Sequence, residues 1–213
     1  MITVLLDKAE FEYDIHSLVK AFYPKEEVYV STKDKEKKEE PVHYHMDVQF
    51  APEEIIFSWK RVEASEDNAN QTGITKCVAV DYTNRKETKN SLKRTLYRLL
   101  SEYTGVELPW GNLTGIRPTK IPMALLEEGK SEEEIARYMK ETYFTSDEKI
   151  KLSIEIAERE LELLHKLDYE EGYSLYIGIP FCPTTCLYCS FTSYSMSAWK
   201  NRMDDYLSAL EKE

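Results

Sequence analysis

Cysteine is scarce in this chain, with four in 213 residues, and its placement excludes a disulfide framework. Three of the four, Cys182, Cys186 and Cys189, crowd onto one short stretch, and Cys77 stands alone far upstream. A disulfide-built domain spreads its cysteines instead, so the crowding reads as a metal site in a reducing compartment. No apolar run reaches the roughly eighteen residues that a membrane-spanning helix needs. The opening Met1-Ile-Thr-Val-Leu-Leu-Asp7 has no basic region and no small-residue cleavage site, so no secretory signal is expected and the cytoplasm is the default compartment. Basic charge is also short. Lys and Arg number 28 against 39 Asp and Glu, a net charge of −11, which repels nucleic acid at long range unless a local patch overrides it. Without such a patch, the 15 tyrosines read as packing rather than as a base-stacking platform.

What remains is the composition of a folded, soluble protein: 42% hydrophobic and 31% charged. Short apolar runs predict strands at Ile2–Leu6, Val28–Val30, Val42–Phe50, Glu54–Arg61 and Thr75–Tyr82. The third and fourth form a hairpin about Ala51-Pro52. Phe11–Phe22 and Lys89–Tyr103 carry apolar residues at helical spacing, and Gly105 closes the second. Lys33–Glu40 is almost wholly charged and Glu66–Gly73 is polar, so both read as loops. Two boxes, Ser131-x-x-Glu134 and Thr145-x-x-Glu148, open helices running to about Thr142 and Lys166. The second carries an apolar stripe (Ile150, Ile154, Ala157, Leu161, Leu164) that needs a partner. Ser174–Ile179 is expected as a strand and Ala198–Glu213 as a helix with Met203, Tyr206, Leu207 and Leu210 inward. The organisation expected is an α+β domain over 1–105, a helical connector over 106–170, and one β-loop-α unit over 171–213. A single such unit cannot bury its sheet face, so a barrel is expected to be cut off here.

Between that last strand and helix lies Tyr176-Ile-Gly178-Ile-Pro180-Phe181-Cys182-Pro-Thr-Thr-Cys186-Leu-Tyr188-Cys189. Three closely spaced thiolates can reach three of the four irons of a cubane cluster and leave the fourth open. An open metal position suits catalysis, as it does for zinc enzymes. A structural zinc site would need a fourth ligand; no histidine lies within the motif, and His165 is the nearest. His43 and His45, two apart on one strand face, read more simply as a half-exposed face than as metal ligands. Cys77 reads as a small buried hydrophobe. Arg117 and Lys120 sit in a Gly/Pro-bearing loop, where an anion contact competes with the simpler reading of a connector.

The C-x3-C-x2-C spacing with Tyr188 before the third cysteine resembles the signature of the radical S-adenosylmethionine (SAM) superfamily. Tyr176, Pro180 and Phe181 ahead of the cysteines resemble its oxygen-independent coproporphyrinogen III oxidase (coproporphyrinogen dehydrogenase) branch, in a form with an N-terminal extension. Leu113-Thr-Gly-Ile-Arg117-Pro-Thr-Lys120 is similar to a segment of that form. Two positions depart from the authentic oxidases: Gly178 replaces a histidine, and Phe191 stands where they have a further cysteine. The resemblance implies the early part of a partial TIM-type barrel, with a [4Fe–4S] cluster on Cys182, Cys186 and Cys189. SAM would lie on the open iron near Tyr176, Gly178 and Tyr188. It further implies reduction of SAM to an adenosyl radical and oxidative decarboxylation of porphyrinogen propionates to vinyls, in haem biosynthesis. A reductant protein such as flavodoxin or ferredoxin would supply electrons, and neither a membrane nor nucleic acid is expected as a partner. Two alternatives remain: a haem-binding or haem-trafficking relative, which also lacks the extra cysteine, and an RNA-modifying radical SAM enzyme, against which the charge argues. Further SAM contacts and all substrate contacts are expected beyond Glu213, so this chain alone is expected to be inactive.

Overall fold

The computed structural model describes residues 1–32, 41–62, 73–167 and 171–213. The expected charged loop at 33–40 and nearly all of the polar one at 66–73 lie outside the described residues. Two compact units form, Met1–Lys166 and Leu167–Glu213.

In the first unit, β1 (Ile2–Leu6) buries every second side chain, Ile2, Val4 and Leu6, as a strand covered on one face must. It lies parallel to both β2 (Val28–Thr32) and β3 (Tyr44–Phe50). The chain reaches β2 through α1 (Glu12–Phe22), whose Ile15, Leu18, Val19 and Phe22 face the sheet. β3, β4 (Glu54–Arg61) and β5 (Gly73–Ala79) follow as an antiparallel meander, giving the order β2-β1-β3-β4-β5. α2 (Arg85–Thr104) lays Leu92, Leu96, Leu99 and Leu100 into the same core as Ile55, Phe57 and Trp59. It begins four residues earlier than expected because Asn84 caps it, accepting from the Glu87 N–H at 3.1 Å. At its other end Gly105 takes φ 68 and closes it as expected.

Both helices cover one face of the sheet, and among the described residues no element packs on the other. This corrects the expectation for Cys77, which is exposed. In register it stands opposite Ile56, and the buried residues of β4 are the alternate ones, Ile55, Phe57 and Trp59.

Three helices complete the unit: α3 (Lys120–Glu127), α4 (Glu132–Tyr143) and α5 (Asp147–Leu164). Ser131 and Glu134 form the expected reciprocal box at the start of α4. The stripe of α5 finds its partner here, as Ile150 and Ile154 pack with Ile135 and Met139 of α4. The second box does not form, and the cap stands one residue later. Phe144, at φ 58, ends α4, and the Thr145 N–H still bonds back to Met139 O at 3.4 Å. Ser146, not Thr145, therefore caps α5.

One buried charge gives a pH signature. Lys93 of α2 is 6% exposed, and its Nζ donates to Thr114 Oγ1 at 3.0 Å. Desolvation moves it down from 10.5 to about 8, with Asp14 opposing and Lys89 adding to the shift. Between those values the unfolded chain holds the proton and the folded one does not, so stability should rise as pH passes upward through about 8. The gain is on the order of 2–3 kcal/mol. Above the usual tyrosine range the trend should reverse, because burial raises Tyr23, Tyr82, Tyr97 and Tyr103. Urea unfolding at pH 7 and pH 9.5 should show the rise in the native protein and not in Lys93→Met; equal slopes would refute it.

The second unit holds the cysteine loop. Residues 174–179, expected as a strand, pair with no described strand. Their apolar side chains Leu175, Ile177 and Ile179 are exposed, so no sheet face is buried to hold them extended. Pairing occurs instead between β6 (Phe181–Cys182) and β7 (Tyr194–Ser195), in parallel. The expected single helix is broken into α6 (Met196–Trp199), a 3-10 turn (Lys200–Arg202) and α7 (Met203–Lys212). Met203, Tyr206 and Leu210 are half-buried, but Leu207 is exposed. Among the described residues no helix is long and apolar enough to cross a membrane.

Candidate metal centre

The cysteine loop is bracketed at both ends. Cys182 closes β6 and leads in, and the Tyr194 N–H donates to Pro180 O at 2.7 Å, which brings the far end back to the entrance. Thr185 and Ser193 hydroxyls meet at 3.2 Å across the loop. The Cys189 N–H donates to Cys186 O at 3.0 Å, so the last two cysteines share one turn. Cys186 is exposed, and Cys182 and Cys189 are half-exposed.

Among the described residues no three His, Cys, Asp or Glu side chains are gathered closely enough to hold a metal ion. The donor chemistry is nevertheless selective. From Cys182 to Cys189 the loop contains no imidazole and no carboxylate, only thiols, and such soft donors select zinc or iron–sulfur over harder ions. Three thiols fit a four-iron cluster with one open iron better than a closed tetrahedral zinc site, which lacks its fourth ligand here.

Of the residues expected to meet SAM, Tyr176 and Tyr188 are 88% and 90% exposed, with rings free to take a ligand. Gly178 is held from behind: its carbonyl accepts a hydrogen bond from the Tyr206 hydroxyl. The Phe181 ring, next to Cys182, stands edge-on to Tyr206 at 5.2 Å and 6.4 Å from Trp199, which meets Tyr194 at 5.5 Å. These rings, with Pro180 and Ala209, line a cavity of about 320 Å3 behind the loop. From sequence alone Tyr206 belongs only to a helix stripe, and Trp199 carries no role. Two aromatics seven apart after a cysteine motif were the signal available.

Tyr206→Phe should remove the bond to Gly178 but keep the ring against Phe181, and Tyr206→Ala should remove both. Amide exchange over 178–182 should quicken about fivefold in the first, as for a hydrogen bond worth ~1 kcal/mol, and further in the second. Identical exchange in all three proteins would remove Tyr206 as the support of this segment.

The remaining candidates lie in the first unit, where His43, His45 and Arg117 each meet a carboxylate. His43 and His45 are not brought together on one ion. His43 Nδ1 lies 3.1 Å from Glu26, which also accepts from the N-terminal ammonium at 2.9 Å. His45 bonds Thr3 at 2.9 Å through Nδ1 and Asp47 at 3.1 Å through Nε2. Arg117 is 3.5 Å from Glu160. Thr114, in the same segment, ties Lys93 of α2 to Ser17 of α1, so this segment acts here as structural connection.

No family model matches the chain. Among solved structures, protein VC0702 from Vibrio cholerae aligns with 49% of this chain and 78% of its own at 7% identity, and its TM-score of 0.20 carries no weight. Among curated proteins, the oxygen-independent coproporphyrinogen-III oxidase-like protein HemZ of Bacillus subtilis (strain 168) is 39% identical over 143 residues. That is 65% of this chain, but the chain spans only 28% of the length of HemZ. A match of that extent does not fit within the second unit and must reach well into the first. Beyond its cysteine loop, therefore, this chain is similar to the oxygen-independent coproporphyrinogen III oxidase-like branch of the radical SAM proteins.

Proposed function

We propose that this chain belongs to an oxygen-independent coproporphyrinogen III oxidase-like radical SAM enzyme, in which Cys182, Cys186 and Cys189 hold a [4Fe–4S] cluster. The observation that carries the reading is the 143-residue match to HemZ in a chain that also presents three thiols on one loop. When bound, the cluster and SAM would supply one-electron chemistry for the oxidative decarboxylation of a propionate side chain.

The chain's own residues have definable parts in this. Three thiolates would each engage one iron and leave a fourth for the amino and carboxylate end of SAM. Tyr206, Phe181 and Trp199 fix the segment entering Cys182 from behind, so that the thiol starts from an anchored backbone. Tyr176 and Tyr188 offer exposed ring faces for SAM. Residues 171–213 would form the first β-loop-α unit of a partial TIM-type barrel, and the unpaired, apolar 174–179 is the stretch that a neighbouring strand would cover.

Anaerobic reconstitution with iron and sulfide, followed by EPR of the reduced protein with and without SAM, tests this. A [4Fe–4S]+ signal that changes on adding SAM is the expected result. A colourless protein holding one zinc, or one that binds added haem and assembles no iron–sulfur cluster, would overturn it.

A further inference from the structure

At the carboxyl ends of β1 and β3 the chain departs in opposite directions, from β1 through α1 to β2 and from β3 directly to β4. In open sheets such a divergence leaves a crevice where ligands bind. Here polar bonds stitch the two strand ends together. Both Asp7 carboxylate oxygens accept from the Phe50 N–H at 3.0 Å, and Lys8 Nζ donates to the Phe50 carbonyl at 3.2 Å. Lys8 then lines a cavity of about 390 Å3 with Glu10, Phe11, Tyr82, Arg85 and Thr88.

The charges in this cavity are unusual for so acidic a chain. Two cations, Lys8 and Arg85, stand near two carboxylates, Glu10 in the lining and Asp7 on the Phe50 N–H, and among the described residues neither cation forms an ion pair with a carboxylate. Their contacts are aromatic instead: the Arg85 guanidinium lies 4.8 Å from the Phe11 ring centre and Lys8 Nζ 5.9 Å from that of Tyr82. Arg85 is the first residue of α2, where the helix dipole opposes positive charge, so helix stability does not explain its presence. Phe11 holds φ 54, a backbone region that bulky residues rarely enter, and in that conformation its ring lies against Arg85. A guanidinium braced on a ring, with no hydrogen-bond acceptor among the described residues, matches a planar or tetrahedral oxyanion.

We propose that this cavity binds a small organic oxyanion, with its carboxylate or phosphate group held by Arg85 and Lys8 and its body against Phe11 and Tyr82. Glu10 and Asp7 offset the two cations, which suits one anionic group and not a polyanion. The site stands on the first unit alone and does not depend on the cluster chemistry.

The test is an amide NMR titration of the full chain with benzoate, phenyl phosphate and inorganic phosphate, at ionic strength held constant with chloride. Saturable shifts confined to the amides of 8–12 and 82–88 are expected. Arg85→Gln should weaken binding about tenfold or more, equivalent to ~1.4 kcal/mol, and Lys8→Gln should also weaken it. Arg98→Gln, which alters a cation stacked on Phe144 elsewhere, should leave it unchanged. A preference for benzoate or for phenyl phosphate identifies the group, and either supports the site. No saturable shift up to tens of millimolar with any of the three, or the same affinity in Arg85→Gln, would overturn it. Unchanged melting temperatures in the variants would exclude lost folding as the cause.

Discussion

Cys186→Ala should leave the reconstituted protein almost free of iron, against about four irons per chain in the native protein. The loop from Cys182 to Cys189 contains no other thiol, imidazole or carboxylate, so a lost thiolate has no equivalent replacement within it. Two remaining thiolates would hold at most two irons of a cubane, and a cluster with two open corners is readily lost. Cys182→Ala and Cys189→Ala should do the same. Cys77→Ala should change nothing, since Cys77 sits on the open face of the edge strand β5. Iron and sulfide analysis with EPR reads all four variants. Full iron content in any loop variant, or its loss in Cys77→Ala, would reassign the ligands.

The contrast between Cys77 and the loop cysteines shows where sequence reasoning reaches and where it stops. The reading of the loop rests on information that is local: spacing, neighbours and the absence of competing imidazole or carboxylate donors can all be read along the chain. Which face of β5 is covered is not local. It depends on α1 and α2 both packing on one side of a sheet whose order, β2-β1-β3-β4-β5, no periodicity records. Trp59 and Cys77 sit on strands of similar apolar character, yet one is buried to 1% exposure and the other is exposed.

Helix starts follow the same rule. Ser131-x-x-Glu134 is legible in sequence because side chain and backbone satisfy each other within four residues. Thr145-x-x-Glu148 has an equally good pattern, but the residue ahead of it, Phe144, adopts φ 58 to end α4, and that shifts the cap to Ser146. Asn84-x-x-Glu87 carries the same local signal, but the apolar residues of α2 begin only at Leu92, which makes the periodicity point to a later start. For 174–179 the sequence has strand character, but a strand is a property of two segments, and the described residues provide no second one.

Gly111→Ala should be among the most destabilising single changes in the first unit, at roughly 3–5 kcal/mol. Residues 109–112 clasp the junction of α4 and α5. The Asn112 N–H donates to Tyr143 O at 2.9 Å, its side-chain amide donates to Thr142 O at 3.3 Å, and the Ser146 N–H donates to Pro109 O at 3.0 Å. Gly111 sits inside this clasp at φ 56. A Cβ there would run into the Tyr143 carbonyl oxygen and stand 2.6 Å from the carbonyl carbon and oxygen of Phe144. Those atoms are backbone, fixed by the hydrogen bonds just named, so they cannot swing aside as the end of a side chain can. Gly129 is the control, with φ 77 and open space around it. Gly129→Ala should carry only the left-handed backbone penalty of about 1–2 kcal/mol. Urea unfolding of the two variants isolates the close approach from the dihedral angle. Equal losses would mean that the chain can open the clasp at little cost. A much larger loss at Gly111 would establish 109–112 as the rigid joint between the helices on the sheet and the helical bundle that follows.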